Sequence, residues 1–224
     1  HLLQPFTEFS NLEHVNPSLI DDEKYWVSTS LRARTIFSAQ HTTLPIPEYY
    51  RDFNKSQYHG QFCIRDLSHS YNKELFASLL SIGEKENTHW LQKPEKLLVK
   101  RPTGNDRDQL RALANGQCQF AIANHYYFDM LAHSENQKDQ LIASKLKRHW
   151  LKTYKGTTLI STTTAAITKY APNKSNAIIF MNYLLEAQTQ KIYASKLYEF
   201  PVYTENKHDQ TTFENNNLKM VPDV

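Results

Sequence analysis

The chain of 224 residues is 40% hydrophobic and 22% charged, which is the composition of a folded globular protein and excludes an intrinsically disordered one. Its 26 basic and 23 acidic residues leave a net charge of +3 without a long basic run, which argues against nucleic acid as a partner. No run of about 18 or more apolar residues occurs, so the sequence predicts no membrane-spanning helix.

Residue counts and motifs narrow the chemistry further. The chain has only 5 glycines, which argues against a glycine-rich phosphate-binding loop, and 13 tyrosines, which supply phenol oxygens as ligands. The histidines do not form an HExxH pattern, and no serine lies in a nucleophile-elbow motif. The sequence therefore predicts a binding protein and not an enzyme.

Short apolar runs bounded by turn residues predict the strands, and apolar residues at helical spacing predict the helices. In chain order, strands are predicted at 25–27, 34–37, 62–64, 120–123, 159–160 and 165–167, and helices at 72–82, 106–115 and 176–187. Gly116 is suited to the C-terminal end of the second helix. The alternation of short buried strands with helices predicts an α/β fold with parallel strand pairing. The last residues, 208–224, read as a polar tail.

Two tyrosines stand next to each other where a predicted strand meets a predicted helix. Asn124 is a favourable N-cap, so Tyr126 and Tyr127 fall in the first helical turn. Adjacent side chains on a strand point to opposite faces, but at a turn into a helix they can converge on one ligand. The alternative is that the pair simply covers an apolar junction.

A third tyrosine, Tyr71, also follows a predicted strand and precedes a helix. Three phenol oxygens suit a hard and highly charged cation, which can ionise a phenol of pKa about 10 at neutral pH. Zinc prefers histidine and cysteine, and calcium prefers carboxylates. If the two strand-to-helix junctions are neighbours, the three tyrosines predict a site for Fe(III).

Two further pairs of residues are candidates for a role in such a protein. Arg32 lies just before a predicted strand and Arg34 begins it. An arginine fork suits a small oxyanion, although a solvated strand edge is the alternative. Cys63 and Cys118 have the same spacing as Tyr71 and Tyr126. Neighbouring junctions would bring the cysteines together as a disulfide, and otherwise they are buried thiols.

Several motifs in the same order resemble the periplasmic ferric-iron-binding proteins of ABC importers. The strongest are PTGNDRDQLRALANG at 102–116 and IANHYY at 122–127. Others lie at 2–5, 30–34, 60–65, 70–72, 168–174 and 198–202. The resemblance extends over most of the chain.

The resemblance implies a type II periplasmic-binding-protein fold, with two lobes and a hinge, that closes on Fe(III) for delivery to an importer permease. It implies that the metal ligands are Tyr71, Tyr126 and Tyr127. It also implies a synergistic anion, carbonate or phosphate, held by Arg32, Ser70, Asn105 and Asn124.

The sequence also departs from the family pattern. The family's N-terminal segment has no counterpart here, so lobe one, at 1–32 and 157–207, is expected to be incomplete, whereas lobe two, at 33–156, is expected to be whole. We expect lobe one to be either a reduced sheet or completed by another copy or chain. Two alternatives stay open: a metal-free binder of a phosphorylated or other anionic small molecule, and a degenerate structural or interaction relative.

Overall fold

The computed structural model describes residues 2–6, 9–82 and 88–202 and divides into two compact units. Among these residues, unit 1 contains those up to 32 and 161–202, and unit 2 contains 33–82 and 88–160. The chain therefore leaves unit 2 after Ile160, slightly later than the predicted lobe boundary at 156/157. The predicted polar tail, 208–224, lies outside the described residues.

Seven strands and six α-helices are described. The strands are β1 (Leu3–Gln4), β2 (Trp26–Arg32), β3 (Arg34–Ala39), β4 (Phe62–Ile64), β5 (Phe120–Asn124), β6 (Leu146–His149) and β7 (Ser161–Thr168). The helices are α1 (Ser70–Ser81), α2 (Asp106–Ala114), α3 (His125–Ala132), α4 (Gln137–Ser144), α5 (Lys174–Leu184) and α6 (Ala187–Ile192), which a short π-helix, Tyr193–Leu197, follows. No helix in the described part of the chain is long and apolar enough to cross a membrane.

Unit 1 is built on a three-stranded antiparallel sheet in the order β1, β7, β2. Gln190 of α6 connects strand β2 with the segment around Val202. The nitrogen of its buried side-chain amide donates to the carbonyl of Thr29 at 2.9 Å, and the amide oxygen accepts the backbone N–H of Val202 at 2.9 Å. On α5, Ile178 and Met181 are buried, whereas the neighbouring face of the helix carries exposed apolar side chains.

Unit 2 is built on a four-stranded sheet in the order β4, β5, β3, β6. Only β4 and β5 pair in parallel, so the prediction of general parallel pairing was wrong. The reason is that β3, which enters from unit 1, lies between β5 and β6 and runs against both of them. The helical connection from β5 to β6 therefore joins strands of the same direction that are not neighbours.

Both faces of the unit 2 sheet are covered, which explains why its strands read as continuous apolar runs. On one face Ile36, Phe62 and Phe120 pack with α1 and with the aromatic side chains of the loops. On the other face Phe37 and Ala121 pack against α2, α3 and α4. The sheet is thus the middle layer of the unit, and the strand-to-helix junctions lie at its edge.

Several predicted element boundaries differ from the structure. Helix α1 begins at Ser70 and not at 72, because the ring nitrogen Nδ1 of His69 accepts the backbone N–H of Tyr71 and caps the helix. Leu159 and Ile160 are buried but do not form a strand. The helix predicted at 176–187 is α5, and it ends at Leu184.

Candidate metal site

The tyrosine pair lies at the junction of β5 and α3. Strand β5 ends at Asn124 and α3 begins at His125, so Tyr126 and Tyr127 belong to the first turn of the helix. Their ring centroids are 4.4 Å apart and the rings are tilted by 44°. A helix N-terminus carries partial positive charge, which favours an anionic phenolate at this position.

Tyr71 joins this pair from the neighbouring junction. It lies in the first turn of α1, which follows β4, and β4 pairs in parallel with β5. The carboxyl ends of these strands meet at one sheet edge, and the phenol oxygens of Tyr71 and Tyr126 lie 3.4 Å apart. The structure therefore brings two of the predicted ligand oxygens into contact, with the ring of Tyr127 tilted against that of Tyr126.

The environment of Tyr126 and Tyr127 favours the protonated form of both phenols in the metal-free protein. Tyr126 is only 6% exposed, and its burial, followed by hydrogen bonds with Tyr127 and Tyr71, raises its pKa well above the usual value. Burial also raises the pKa of the half-buried Tyr127. A cation that binds here must therefore displace phenol protons, and only a strongly polarising ion does this near neutral pH.

The tyrosine oxygens are the candidate metal donors that the described residues bring together. Within 2–6, 9–82 and 88–202, no group of three or more histidine, cysteine, aspartate or glutamate side chains is placed to hold a metal ion. The described residues therefore contain no three-residue cluster of the ligand types that zinc or calcium prefers. The tyrosine cluster fits a hard trivalent cation.

The residues predicted to hold an anion lie in different places. Ser70 is exposed in the first turn of α1, next to Tyr71. Asn105 caps α2, and its side-chain oxygen accepts the backbone N–H groups of Arg107 and Asp108. Asn124 begins α3 as predicted, but its side chain is fully buried and makes no capping hydrogen bond.

Arg32, the fourth predicted anion ligand, belongs to unit 1. Its guanidinium donates to the carbonyl of Thr162 at 3.0 Å and to the hydroxyl of Thr163 at 2.7 Å. Both partners lie on β7, so the arginine side chain is held along the sheet of its own unit.

Cys63 and Cys118 form a disulfide that joins β4 to the turn before β5. Their Cα atoms are 5.9 Å apart, a usual separation for a disulfide. The bond therefore ties together the two strands that lead to Tyr71 and to Tyr126.

The sequence reasoning missed a buried ionic cluster beside the tyrosines. Asp106 is fully buried, and its Oδ2 atom accepts from Arg34 at 2.9 Å and from the backbone N–H of Asn124 at 2.9 Å. Arg65 lies 3.6 Å from the other carboxylate oxygen. The sequence pattern contained little sign of this cluster, since an acidic residue in a first helical turn is ordinary and Arg34 was considered only as a possible oxyanion ligand at a strand.

The chain is similar to known bacterial solute-binding proteins. The model of a family described as bacterial extracellular solute-binding protein matches residues 2–223. The chain is 32% identical over 205 residues to iron uptake protein A2 of Synechocystis, an alignment that includes 90% of this chain but 59% of that protein. The chain therefore spans little more than half the length of this relative.

Solved structures show the same likeness. A ferric binding protein from Campylobacter jejuni superposes with a TM-score of 0.88 at 28% identity, over 99% of this chain and 72% of that one. A Trichodesmium protein solved in complex with iron and citrate superposes with a TM-score of 0.80 at 31% identity, over 91% of this chain and 65% of that one.

Proposed function

Because the chain belongs to the family of bacterial extracellular solute-binding proteins, we propose that it binds Fe(III) and delivers it to the permease of an ABC importer. Its fold is the type II periplasmic-binding-protein fold of the ferric-binding proteins. The observation that carries the proposal is the contact between the Tyr71 and Tyr126 oxygens at 3.4 Å, with the ring of Tyr127 centred 4.4 Å from that of Tyr126. The proposed role is binding and release, without catalysis.

Tyr71, Tyr126 and Tyr127 are the proposed iron ligands. Each phenol would lose its proton as iron binds, and three phenolates together balance the charge of Fe(III). The N-terminal ends of α1 and α3 stabilise this negative charge through their backbone dipoles. The buried position of Tyr126 excludes water from one side of the cation, which strengthens the electrostatic attraction.

A synergistic anion, carbonate or phosphate, is the proposed additional ligand. Ser70 is the best-placed candidate to contact it, since its hydroxyl is exposed next to Tyr71 in the first turn of α1. Asn105, Asn124 and Arg32 remain predicted contributors. A metal-free binder of an anionic small molecule is the alternative that shares these residues.

The disulfide supports a location outside the cytoplasm, and we place the protein in the periplasm. Disulfides form and persist in oxidising compartments and are rare where thiols are kept reduced. The bond between Cys63 and Cys118 is buried within unit 2, so it is a structural bond.

Interaction with a second chain is a further candidate function, and one observation favours it. Ile179, Phe180 and Tyr183 are 65%, 58% and 48% exposed along one face of α5. Contiguous exposed apolar side chains often mark a contact surface. A sedimentation measurement of the metal-free protein that finds only monomers would remove this candidate.

Metal analysis combined with visible spectroscopy tests the proposed function. We expect Fe(III), supplied as its nitrilotriacetate complex, to bind once per chain and to produce a visible charge-transfer band from phenolate to iron. Phosphate alone should produce no colour. Binding of phosphate without uptake of iron would instead establish the metal-free alternative.

Iron affinity should depend steeply on pH. Because the pKa values of Tyr126 and Tyr127 are raised, both phenols carry protons in the metal-free protein and lose them in the complex. Each released proton changes the affinity by about tenfold per pH unit, so acidification from about pH 7 to 6 should weaken binding by at least about 100-fold. Competition titrations, corrected for protonation of the chelator, measure this dependence.

A matched variant checks the origin of the pH dependence. Tyr127→Phe should release one proton fewer and should therefore show a correspondingly shallower slope of affinity against pH. An iron affinity that does not change between about pH 6 and about pH 7 would contradict phenolate ligation.

A further inference from the structure

The buried ionic cluster has contacts that lead directly to the proposed ligands. We define it as Arg34, Arg65 and Asp106. The Asp106 carboxylate is fully buried, and it lies 2.9 Å from a guanidinium nitrogen of Arg34 and 3.6 Å from one of Arg65. The cluster therefore places two cations and one anion within unit 2, beside the tyrosines.

Stability alone is a weak explanation for such a cluster. Burying three charges removes them from water, and apolar side chains of similar size often give equal or greater stability. Hydrogen bonding is also incomplete: among the described residues, the Nε atoms of Arg34 and Arg65 and the Oδ1 atom of Asp106 have no hydrogen-bond partner. A partly satisfied buried network calls for a role other than packing.

The first link from the cluster to a ligand runs through Asn124. Arg34 donates to the side-chain oxygen of Asn124 at 3.2 Å, and the carboxylate of Asp106 accepts the backbone N–H of Asn124 at 2.9 Å. The contact with Arg34 sets the orientation of the side-chain amide, because its oxygen must face the guanidinium, and the contact with Asp106 holds the backbone of Asn124 in place. The amide nitrogen Nδ2 then faces the phenol oxygen of Tyr126, at 3.3 Å.

The second link runs to the ring of Tyr71. The guanidinium carbons of Arg65 and Arg34 lie 5.2 and 5.9 Å from the centroid of this ring. Both distances are within the range of cation–π attraction, so the two arginines hold the ring against the ionic cluster. The ionic cluster therefore contacts Asn124, which donates to the Tyr126 oxygen, and it also contacts the ring of Tyr71.

We infer that Asn124 is a positioning residue, oriented by Arg34 and Asp106, whose amide nitrogen donates a hydrogen bond to the Tyr126 oxygen while that oxygen ligates iron. The inference rests on the proposed function, since it concerns the same site. A phenolate oxygen has enough lone pairs to bind a metal and accept one hydrogen bond. Asn124 thus acts on a metal ligand, and the ionic cluster serves to orient it.

The hydrogen bond has a spectroscopic consequence. It withdraws electron density from the phenolate oxygen and lowers the energy of the orbitals from which charge moves to iron. Removing it should therefore shift the visible band to longer wavelength. Groups beyond the direct ligands commonly change metal affinity by about 10–100-fold, so the loss of this hydrogen bond should weaken iron binding by a similar factor.

The experiment compares four variants of the full chain, loaded with Fe(III) nitrilotriacetate and titrated with citrate. Asn124→Leu keeps the side-chain size and removes the donor, whereas Arg34→Met removes the group that orients it. Arg34→Lys keeps the positive charge and should recover part of the effect. Arg111→Met is the matched control, since Arg111 pairs with Asp108 and Asp139 elsewhere in unit 2.

We expect Asn124→Leu and Arg34→Met to shift the band to longer wavelength and to lower the affinity about 10–100-fold, with neither change in Arg111→Met. Circular dichroism of each metal-free variant reports folding, and Asn124→Leu decides the outcome if Arg34→Met does not fold. A wild-type band and affinity in Asn124→Leu would overturn the inference and leave the proposed function standing. A wild-type chain that shows no iron band would overturn both.

Discussion

Replacing Tyr126 by phenylalanine should lower the affinity for Fe(III) by more than about 100-fold, which exceeds the usual effect of groups beyond the direct ligands. The substitution removes a single oxygen, which lies 3.4 Å from the Tyr71 oxygen and belongs to the most buried of the three phenols. The visible charge-transfer band should weaken and shift because one phenolate no longer contributes to it. Competition titration with citrate and the absorption spectrum of the loaded protein measure both changes.

The fold should tolerate this change. It leaves the amide nitrogen of Asn124 without its phenol acceptor, at a cost of about 1–3 kcal/mol, which is less than the total stability of most domains. Tyr170→Phe is the matched control, since Tyr170 is 85% exposed in unit 1. Equal iron affinity in the Tyr126 and Tyr170 variants would show that Tyr126 is not a ligand.

Loss of the disulfide should strongly destabilise unit 2. The bond closes a loop with a sequence separation of 55 residues. The chain-entropy treatment assigns such a cross-link at most about 4 kcal/mol, a large share of typical domain stability. Urea unfolding of the Cys63→Ala, Cys118→Ala double variant should therefore have a markedly lower midpoint than that of the wild type.

A reducing agent provides the control for this prediction. It should lower the unfolding midpoint of the wild type towards that of the double variant and should leave the double variant unchanged. Thiol titration in denaturant without reductant should find no reactive thiol in the wild type. Two reactive thiols under these conditions would contradict the disulfide.

Sequence patterns predicted which segments form strands and helices better than they predicted which strands lie next to each other. The segment around Phe62 and the helix closed by Gly116 were predicted correctly because burial and capping are local signals. The position of β3 between β5 and β6 was not predictable in this way, since it depends on where the chain enters unit 2. Parallel pairing was therefore predicted too broadly.

The candidate site shows the same limit. The meeting of Tyr71 with Tyr126 could be anticipated from two junctions of equal spacing, because parallel strands align their carboxyl ends. Asn124 was recognised as a helix start, yet its side chain turns inward to Arg34 and does not cap. Contacts of this kind join residues far apart in sequence and carry no periodic signal.

A crystal structure of the protein loaded with Fe(III), with anomalous scattering measured at the iron absorption edge, tests the central claim most directly. The account predicts one iron peak per chain within bonding distance of the phenol oxygens of Tyr71, Tyr126 and Tyr127. Iron bound elsewhere, or three tyrosines with unchanged positions and no iron between them, would contradict it.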